Sequence, residues 1–390
     1  MPENHRNALK RLWTPAGAGA DGPLIALVRV RLLSRLRLLL LGAMTLASLA
    51  AACGYGGTAQ AAPKEKVLFS FRNLRGLHPY AGLIADGARN LYGTTLYGGA
   101  TGKGVVFELS PPAAGKTAWT ETVLQSFNVT NGAYPFAGLI ADGAGNLYGT
   151  TNGGGANNDG VVFELSPPAA GKTAWTETVL QSFNGTNGAA PYAGLLADGA
   201  GNLYGTTNAG GAIGAGVVFE LSPPAVGKTA WTETVLQSFN GTNGAYPFAA
   251  LIADGPGNLY GTTSGGGANN RGVVFELSPP AVGKTAWTET VLFSFHGTKG
   301  YPNAGLLADS AGNLYGTTQG GGANNDGVVF KLSPPAADQR AWTERVLHSF
   351  NGTNGGKPYA GLIADGAGNL YGTTLYGGAD AAGVVFKLTP

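Results

Sequence analysis

A carboxylate and an amide recur together along this chain, in the element Asp-Gly-x-Gly-Asn and its close variants. The first copy is Asp86–Asn90, and five more follow. Carboxylate and amide oxygens are ligands that Ca²⁺ accepts, so each copy could contribute to a metal site. However, one carboxylate in five residues is sparse for a calcium loop. A hairpin turn, with the Asp and Asn side chains bonded to the local backbone, explains the pattern without a metal. We therefore expect a structural turn, no metal and no cofactor.

Other titratable residues also follow the repeat. Glutamates occupy one strand position in four copies, and lysine replaces them in the last two copies. A second series stands in the motif Trp-Thr-Glu, from Glu121 to Glu344. Carboxylates spread evenly around a repeat are typical of solvated strand positions, so we interpret both series that way. The histidines after residue 61 occupy three different repeat positions, with no Ser/His/Asp order or HExxH motif. No catalytic constellation is evident.

The most variable positions lie in the loops between the second and third predicted strands. Leu-Tyr pairs occur there only in the first and last copies, as Leu96-Tyr97 and Leu375-Tyr376. Binding residues concentrate on loops that a rigid scaffold holds. We predict a ligand site that also includes nearby basic residues and loop amides. Its predicted members are Tyr97, Tyr376, Leu96, Leu375, Arg72, His78, Asn152 and Asn208. Neutral divergence of the loops, or a role for the tyrosines in covering a seam, would explain the same pattern.

The elements that hold these residues are six tandem repeats. The hexapeptide Asn-Leu-Tyr-Gly-Thr-Thr begins at six places, spaced by 55 or 56 residues. Its start positions are Asn90, Asn146, Asn202, Asn258, Asn313 and Asn369. Each unit contains four short apolar runs separated by glycine-rich or proline-rich turns, and none has a helical period. Four strands in about 56 residues is the size of a propeller blade.

The two ends of the repeat region are complementary. The last copy stops after its third strand, while Val67–Phe71 matches the fourth strand Val291–Phe295 of another copy. In a ring, the N-terminal strand can complete the last blade and remove an open sheet edge. The predicted fold is therefore all-β: a six-bladed β-propeller of four-stranded repeats, closed by pairing of the N-terminal strand in the last blade. The predicted domain covers residues 62–390.

Residues 1–61 have the features of an export segment. Four arginines precede an uncharged run over residues 38–52, and an Ala-x-Ala site ends at Ala61. The segment around Cys53, the only cysteine, also resembles a lipoprotein box, so a lipid anchor is an alternative to free secretion, and a retained anchor is a third reading. Either way we expect an extracytoplasmic protein: periplasmic, surface-bound or extracellular. The membrane would be met only through the signal peptide or a lipid.

Composition excludes several classes of protein. The 66 glycines lack a Gly-X-Y period, and 44% of the residues are hydrophobic, which excludes collagen and disorder. Removing residues 1–61 leaves 17 basic and 20 acidic residues. A body near −3, with no basic stripe, argues against nucleic-acid binding. We expect a monomer.

The segment Pro358–Thr374 resembles NHL-type propeller blades, which share a Pro-x-Gly-apolar-Ala-Asp-x-x-Gly-Asn-Leu-Tyr core. The whole unit, with Gly-Val-Val-Phe-Glu-Leu-Ser, is similar to the GloVer (Gloeobacter/Verrucomicrobium) tandem repeat of bacterial "choice-of-anchor" proteins. The resemblance covers residues 67–390 and implies bacterial export and a propeller-like repeat. It implies no reaction.

Three functions are compatible with these features. The leading hypothesis is a secreted or surface-tethered binding module whose ligand is a carbohydrate or a protein, because tyrosine and asparagine loops suit polyhydroxylated ligands. A hydrolase- or lyase-type propeller enzyme with a site on the axis would need several titratable groups converging there. A structural envelope protein would need neither.

Overall fold

The computed structural model describes residues 66–72, 75–297, 300–336 and 339–390, and every regular element in these ranges is a β-strand. The strands form six antiparallel sheets, one for each repeat, of which five have four strands and the last has three. We call each sheet a blade. The predicted export segment and Cys53 lie outside the described residues. Within the described ranges, no helix has the length and apolar character needed to span a bilayer.

The strands recur in the same order in each blade. The first strands are Ile84–Ala85 (β1), Ile140–Ala141 (β5), Leu196–Ala197 (β9), Ile252–Ala253 (β13), Leu307–Ala308 (β17) and Ile363–Ala364 (β21). The second strands are Leu91–Thr95 (β2), Leu147–Thr151 (β6), Leu203–Thr207 (β10), Leu259–Thr263 (β14), Leu314–Thr318 (β18) and Leu370–Thr373 (β22). The third strands are Val105–Ser110 (β3), Val161–Ser166 (β7), Val217–Ser222 (β11), Val273–Ser278 (β15), Val328–Ser333 (β19) and Val385–Leu388 (β23). The fourth strands are Thr120–Ser126 (β4), Thr176–Ser182 (β8), Thr232–Ser238 (β12), Thr288–Ser294 (β16) and Thr343–Ser349 (β20).

The third strand is the centre of each core, because both of its faces are covered by neighbouring blades. In blade 2, Val161, Val162 and Phe163 are all fully buried. A run of β-branched and aromatic residues without alternation is what such a strand requires. The first strand is much shorter than the five-residue run predicted for residues 137–141, because only its last two residues pair with the second strand.

A β-bulge divides the fourth strand into two halves that face different blades. In β8 the pairing jumps from Phe163–Val179 to Val162–Gln181. Glu177, before the bulge, accepts hydrogen bonds from blade 1, whereas Gln181, after it, donates to blade 3. The sequence alternation predicted that residues 175–183 share one face. That prediction was wrong, because the bulge inserts one residue and reverses the orientation of those that follow.

Aromatic contacts join consecutive blades. The last aromatic residue of each fourth strand packs edge-on against the third-strand phenylalanine of the next blade, as Phe127 does against Phe163 with 5.1 Å between centroids. The tryptophan before each fourth strand packs on a second-strand tyrosine of the preceding blade, as in the Tyr92–Trp175 pair. The hydrophobic clusters therefore lie between blades.

The two ends of the chain expose the faces that are buried elsewhere. Leu83 in blade 1 is 50% exposed, although its counterpart Leu139 is 4% exposed. Val385 in blade 6 is 59% exposed, whereas Val162 at the same repeat position is fully buried. Among the described strand pairs, none joins residues 67–71 to β23. Six propeller-like blades are thus present, and the predicted closure of the ring stays a prediction.

Candidate ligand-binding face

Two sets of loops form one face of the array, which we call the loop face. The connection from each fourth strand to the next first strand contains a residue-proline step, and the residue before proline has a φ of 54 to 63°. These residues are His78, Tyr134, Ala190, Tyr246, Tyr301 and Lys357. The carbonyl group of each accepts a hydrogen bond from the loop between the second and third strands; Asn152 N, for example, donates to Tyr134 O at 3.1 Å. Left-handed backbone at non-glycine residues is costly, and it persists only where the surroundings impose it.

Two of the sequence-predicted site residues meet on this face. Tyr97 packs edge-on against His78, with 5.5 Å between ring centroids, and against Tyr134 at 5.6 Å. The Tyr134 hydroxyl accepts a hydrogen bond from Lys103 Nζ at 2.7 Å. We call these four residues the outer cluster. Sequence reasoning missed Tyr134 and Lys103 as members, because Tyr134 lies in the next repeat and comes close only through blade packing.

The other predicted residues are distributed differently. Leu96 is buried, so its side chain contributes to packing. Leu375 and Tyr376 are exposed in blade 6, where Tyr376 N donates to Gly356 O at 3.0 Å. Arg72 lines an open groove of ≈ 710 Å³ between the N-terminal segment and Trp119. Their joint participation in one site is not tested by these positions and stays a prediction.

A second set of aromatic rings follows the residue-proline steps by one residue. Tyr80, Phe136, Tyr192 and Phe248 form a continuous series through three contacts between consecutive blades. The centroid distances are 5.6, 5.0 and 5.1 Å, and the rings meet at 45 to 68°. The repeat position continues with Asn303 and Tyr359. We call these six residues the inner file.

The inner file lies where neighbouring blades converge. Two residues further along the chain, a Cβ atom on Gly138 would be 3.5 Å from Gly82 O, and one on Gly194 would be 3.6 Å from Gly138 O. The backbones of successive blades therefore nearly touch beside the rings. This innermost position holds glycine in five repeats and alanine in one, so it contributes backbone and no titratable side chain.

Amide side chains border the inner file. Gln319, the first residue of its loop, accepts a hydrogen bond from Asn303 and donates one to the Tyr359 hydroxyl at 2.7 Å, so it contacts the inner file in its own blade and in the next. Asn152 and Asn208 occupy the same repeat position. Their Nδ2 atoms, and Oδ1 of Asn303, are buried with no hydrogen-bond partner in the described part of the chain. Buried polar atoms are nearly always paired in proteins, so these three amides need an explanation.

The repeated aspartates lie in turns that satisfy them completely. Asp142 accepts hydrogen bonds from Ala144 N, Asn146 N, Asn146 Nδ2 and the Tyr148 hydroxyl. Although burial opposes it, these bonds hold the pKa of Asp142 below its ordinary value. The Asp and Asn side chains bond the local backbone as predicted, and the tyrosine is an additional partner that the sequence did not reveal. No three His, Cys, Asp or Glu side chains gather into a metal-binding group in the described ranges.

The Trp-Thr-Glu glutamates correct the sequence interpretation. They were expected to be solvated, but Glu177 lies between blades, where Gln125 Nε2 and Asn131 Nδ2 of the preceding blade both donate to Oε2, the latter at 2.6 Å. Its Oε1 atom is buried without a hydrogen-bond partner among the described residues. Burial raises the pKa of Glu177 to about 7, and the bond from Asn131 opposes the shift. Glu233 and Glu289 repeat this arrangement.

At the first blade the same position is an ion pair. Glu121 is buried, and its carboxylate is 4.0 Å from Arg75, which stands at the repeat position of Asn131. Burial raises the pKa of Glu121, and the charge of Arg75 opposes that shift. The half-buried third-strand glutamates differ, because a serine two residues on donates to each, as Ser166 does to Glu164.

The family model of the Gloeobacter/Verrucomicrobia repeat matches residues 53–255 and 226–390. The chain belongs to this repeat family. No curated protein matches it.

Two solved structures resemble this fold. One is the extracellular domain of a protein described as a one-component system of B. thetaiotaomicron, with 17% identity and a TM-score of 0.44 over 80% of this chain. This chain spans 40% of that domain's length. The other is a protein of Thermus thermophilus described as an oxidoreductase (glucose dehydrogenase), with 16% identity and a TM-score of 0.41 over 80% of this chain and 97% of that one.

Proposed function

We propose that this member of the repeat family is an exported binding module, secreted or held at the surface, whose ligand contacts the loop face. Export is supported by the signal-like residues 1–61, with Cys53 as the alternative lipid anchor. The ligand is a carbohydrate or a protein. A rigid repeat scaffold that presents variable loops is the arrangement through which many folds bind ligands.

The observation that carries the proposal is the difference between the two faces. On the turn face, every hydrogen-bonding group of a repeated unit such as Asp142–Asn146 is engaged locally. On the loop face, exposed aromatic side chains accumulate, including Tyr97, Tyr246, Tyr301 and Tyr376. Exposed aromatic groups in a cluster are a feature of binding surfaces, since their exposure has a solubility cost.

Ring closure belongs to the same proposal, because it completes the loop face. Phe71 packs on Phe107 with 4.9 Å between centroids, which is the contact that Phe127 makes with Phe163 in the next blade. The N-terminal segment therefore occupies, on blade 1, the place of a fourth strand from a preceding blade. The three-stranded blade 6 lacks that strand.

The seam has further unfilled positions that fit together. Trp119 corresponds to Trp175, which packs on Tyr92; in a closed ring the matching tyrosine is Tyr371 of blade 6. The groove beside Trp119 lies where blade 6 would dock. At the last junction, His348 and Asn354 stand at the positions of Gln125 and Asn131, and they bond each other at 3.1 Å. Glu65, outside the described residues, precedes Val67 by the same two positions that separate Glu289 from Val291.

A glycan array probed with the full chain, beside a pull-down from the culture fluid of its host, tests the proposal. Binding of at least one glycan or protein is expected. Double replacement Tyr97→Ala and Tyr376→Ala then separates two roles of the tyrosines. Weaker binding at an unchanged melting temperature indicates a ligand contact, whereas a lower melting temperature with unchanged binding assigns them to the seam. A chain that binds nothing in either assay contradicts the proposed function.

A further inference from the structure

We infer that the inner file is a binding site for an uncharged polysaccharide chain, which lies across the rings with its hydroxyl groups on the adjacent amides. This inference rests on the proposed binding function and names its ligand class and its site. Its centre is Tyr192, which contacts Phe136 and Phe248, its neighbours on either side.

The rings provide the apolar part of the site. Because they meet at an angle rather than in parallel, neighbouring rings do not cover each other's faces. Phe248 and Tyr80 are exposed, and Phe136 and Tyr192 are partly exposed. The spacing of 5.0 to 5.6 Å is comparable to the length of one pyranose unit. Aromatic faces suit the C–H faces of sugar rings, so successive units can contact successive rings.

The amides provide the polar part of the site. Asn152 Nδ2, Asn208 Nδ2 and Asn303 Oδ1 are buried and without partners in the described structure. A hydroxyl group both donates and accepts, so it satisfies an amide whichever way the amide is turned. Leaving such groups unpaired is costly, and a polyhydroxylated ligand removes that cost. An apolar ligand would leave it in place.

Charge separates this site from its rim. None of the six inner-file residues is charged, whereas the residues around it include Lys103, which bonds Tyr134, and Arg271, whose guanidinium lies over Tyr301. An anionic chain would be drawn to that rim, while an uncharged chain has its best contacts on the inner file. A protein ligand would need a broader surface than one row of rings.

The chain itself supplies conservative test substitutions. Asparagine already occupies the inner-file position in the fifth repeat, as Asn303, so the double variant Tyr192→Asn and Phe248→Asn reproduces a side chain that this fold accommodates. Alanine already occupies the residue-proline position in the third repeat, as Ala190, so Tyr246→Ala is the matched control on the same face.

The experiment is calorimetric titration of the full chain with cellohexaose, mannohexaose, maltohexaose and xylohexaose, beside the corresponding disaccharides and hexagalacturonate. We expect at least one neutral hexasaccharide to bind more tightly than its disaccharide and than hexagalacturonate. The double variant should weaken that binding by about tenfold or more at an unchanged melting temperature, since two ring contacts are lost. Tyr246→Ala should leave it unchanged.

Three results overturn the inference. If a neutral glycan binds the parent chain and the double variant equally, the proposed function stands but the site lies elsewhere. If hexagalacturonate binds best, the ligand is anionic. If no oligosaccharide binds while the pull-down yields a specific protein, the ligand class is wrong, and the failure of both assays contradicts the proposed function as well.

Discussion

Glu177 and its counterparts show how one buried carboxyl group can couple neighbouring blades to pH. Both hydrogen-bond donors from the preceding blade converge on Oε2, so Oε1 is the atom on which a proton is best accommodated. A neutral acid avoids the desolvation cost of a buried charge. Gln125 and Asn131, the groups that hold it, carry no charge.

We expect the chain to be more stable at pH 5 than at pH 8 because of these glutamates. The pKa of Glu177 is raised from 4.5 to about 7 in the folded state, so between these values the folded chain keeps a proton that the unfolded chain releases. The stabilisation is complete below pH 4.5 and is lost as the pH rises through 7. Thermal unfolding followed by circular dichroism from pH 5 to pH 8 measures it.

A glutamine series gives the control for this prediction. The triple variant Glu177→Gln, Glu233→Gln and Glu289→Gln should flatten the decline of melting temperature with pH and should be the more stable protein at pH 8. Replacing Glu108, Glu164 and Glu220 by glutamine removes the same number of charges from positions that bond a neighbouring serine. An equal flattening by both triple variants would show that net charge, rather than the interblade position, causes the effect.

At the scale of the strand, the glycine of Leu-Tyr-Gly-Thr-Thr determines how closely strands and blades pack. A Cβ atom on Gly205 in β10 would be 2.5 Å from Cζ of Phe219 and 3.1 Å from Cδ2 of Leu195. Both neighbours are buried core residues, so they cannot move without disturbing the core. This glycine therefore makes room for the aromatic ring of the third strand.

Gly205→Ala should lower the free energy of unfolding by about 1–3 kcal/mol, since the added methyl group overpacks the core. Gly199→Ala is the control, because a Cβ atom there meets nothing within 4 Å, and the fifth repeat already carries Ser310 at that position. Urea unfolding of both variants measures the difference. Similar stabilities would mean that the glycine is dispensable in the core.

At the scale of the molecule, the question is whether blade 6 and the N-terminal segment complete one sheet. Removal of residues 1–71 should lower the melting temperature of the whole chain, because it reopens a sheet edge and uncovers Phe107. Hydrogen exchange measured by mass spectrometry should show protected amides in β23 of the full chain and unprotected amides in the truncated chain. The closed chain should sediment as a monomer.

The opposite outcomes are equally clear. An unchanged melting temperature after truncation, with rapid exchange in β23 of both chains, would contradict closure. Oligomers of the full chain, dissociating when Val385 is replaced by aspartate, would show instead that the exposed end faces join different molecules head to tail.

Much of the fold follows from the sequence because it is written within single repeats. The strand-turn-strand order, the aspartate turns and the central strands depend on hydrogen bonds and apolar runs that are local in the chain, and six copies repeat them. The sequence likewise predicted that His78 and Tyr97 lie near each other, since both belong to loops that emerge on one face.

Contacts between blades were decided only by the tertiary structure. The bulge in β8 cannot be seen in an alternating pattern, yet it turns Glu177 from a solvent-facing residue into a buried one. Tyr80, Phe136 and Tyr192 are 56 residues apart in succession, and nothing local indicates that their rings touch. Their contact depends on the rotation that relates one blade to the next, and that rotation arises from the packing of whole sheets against each other.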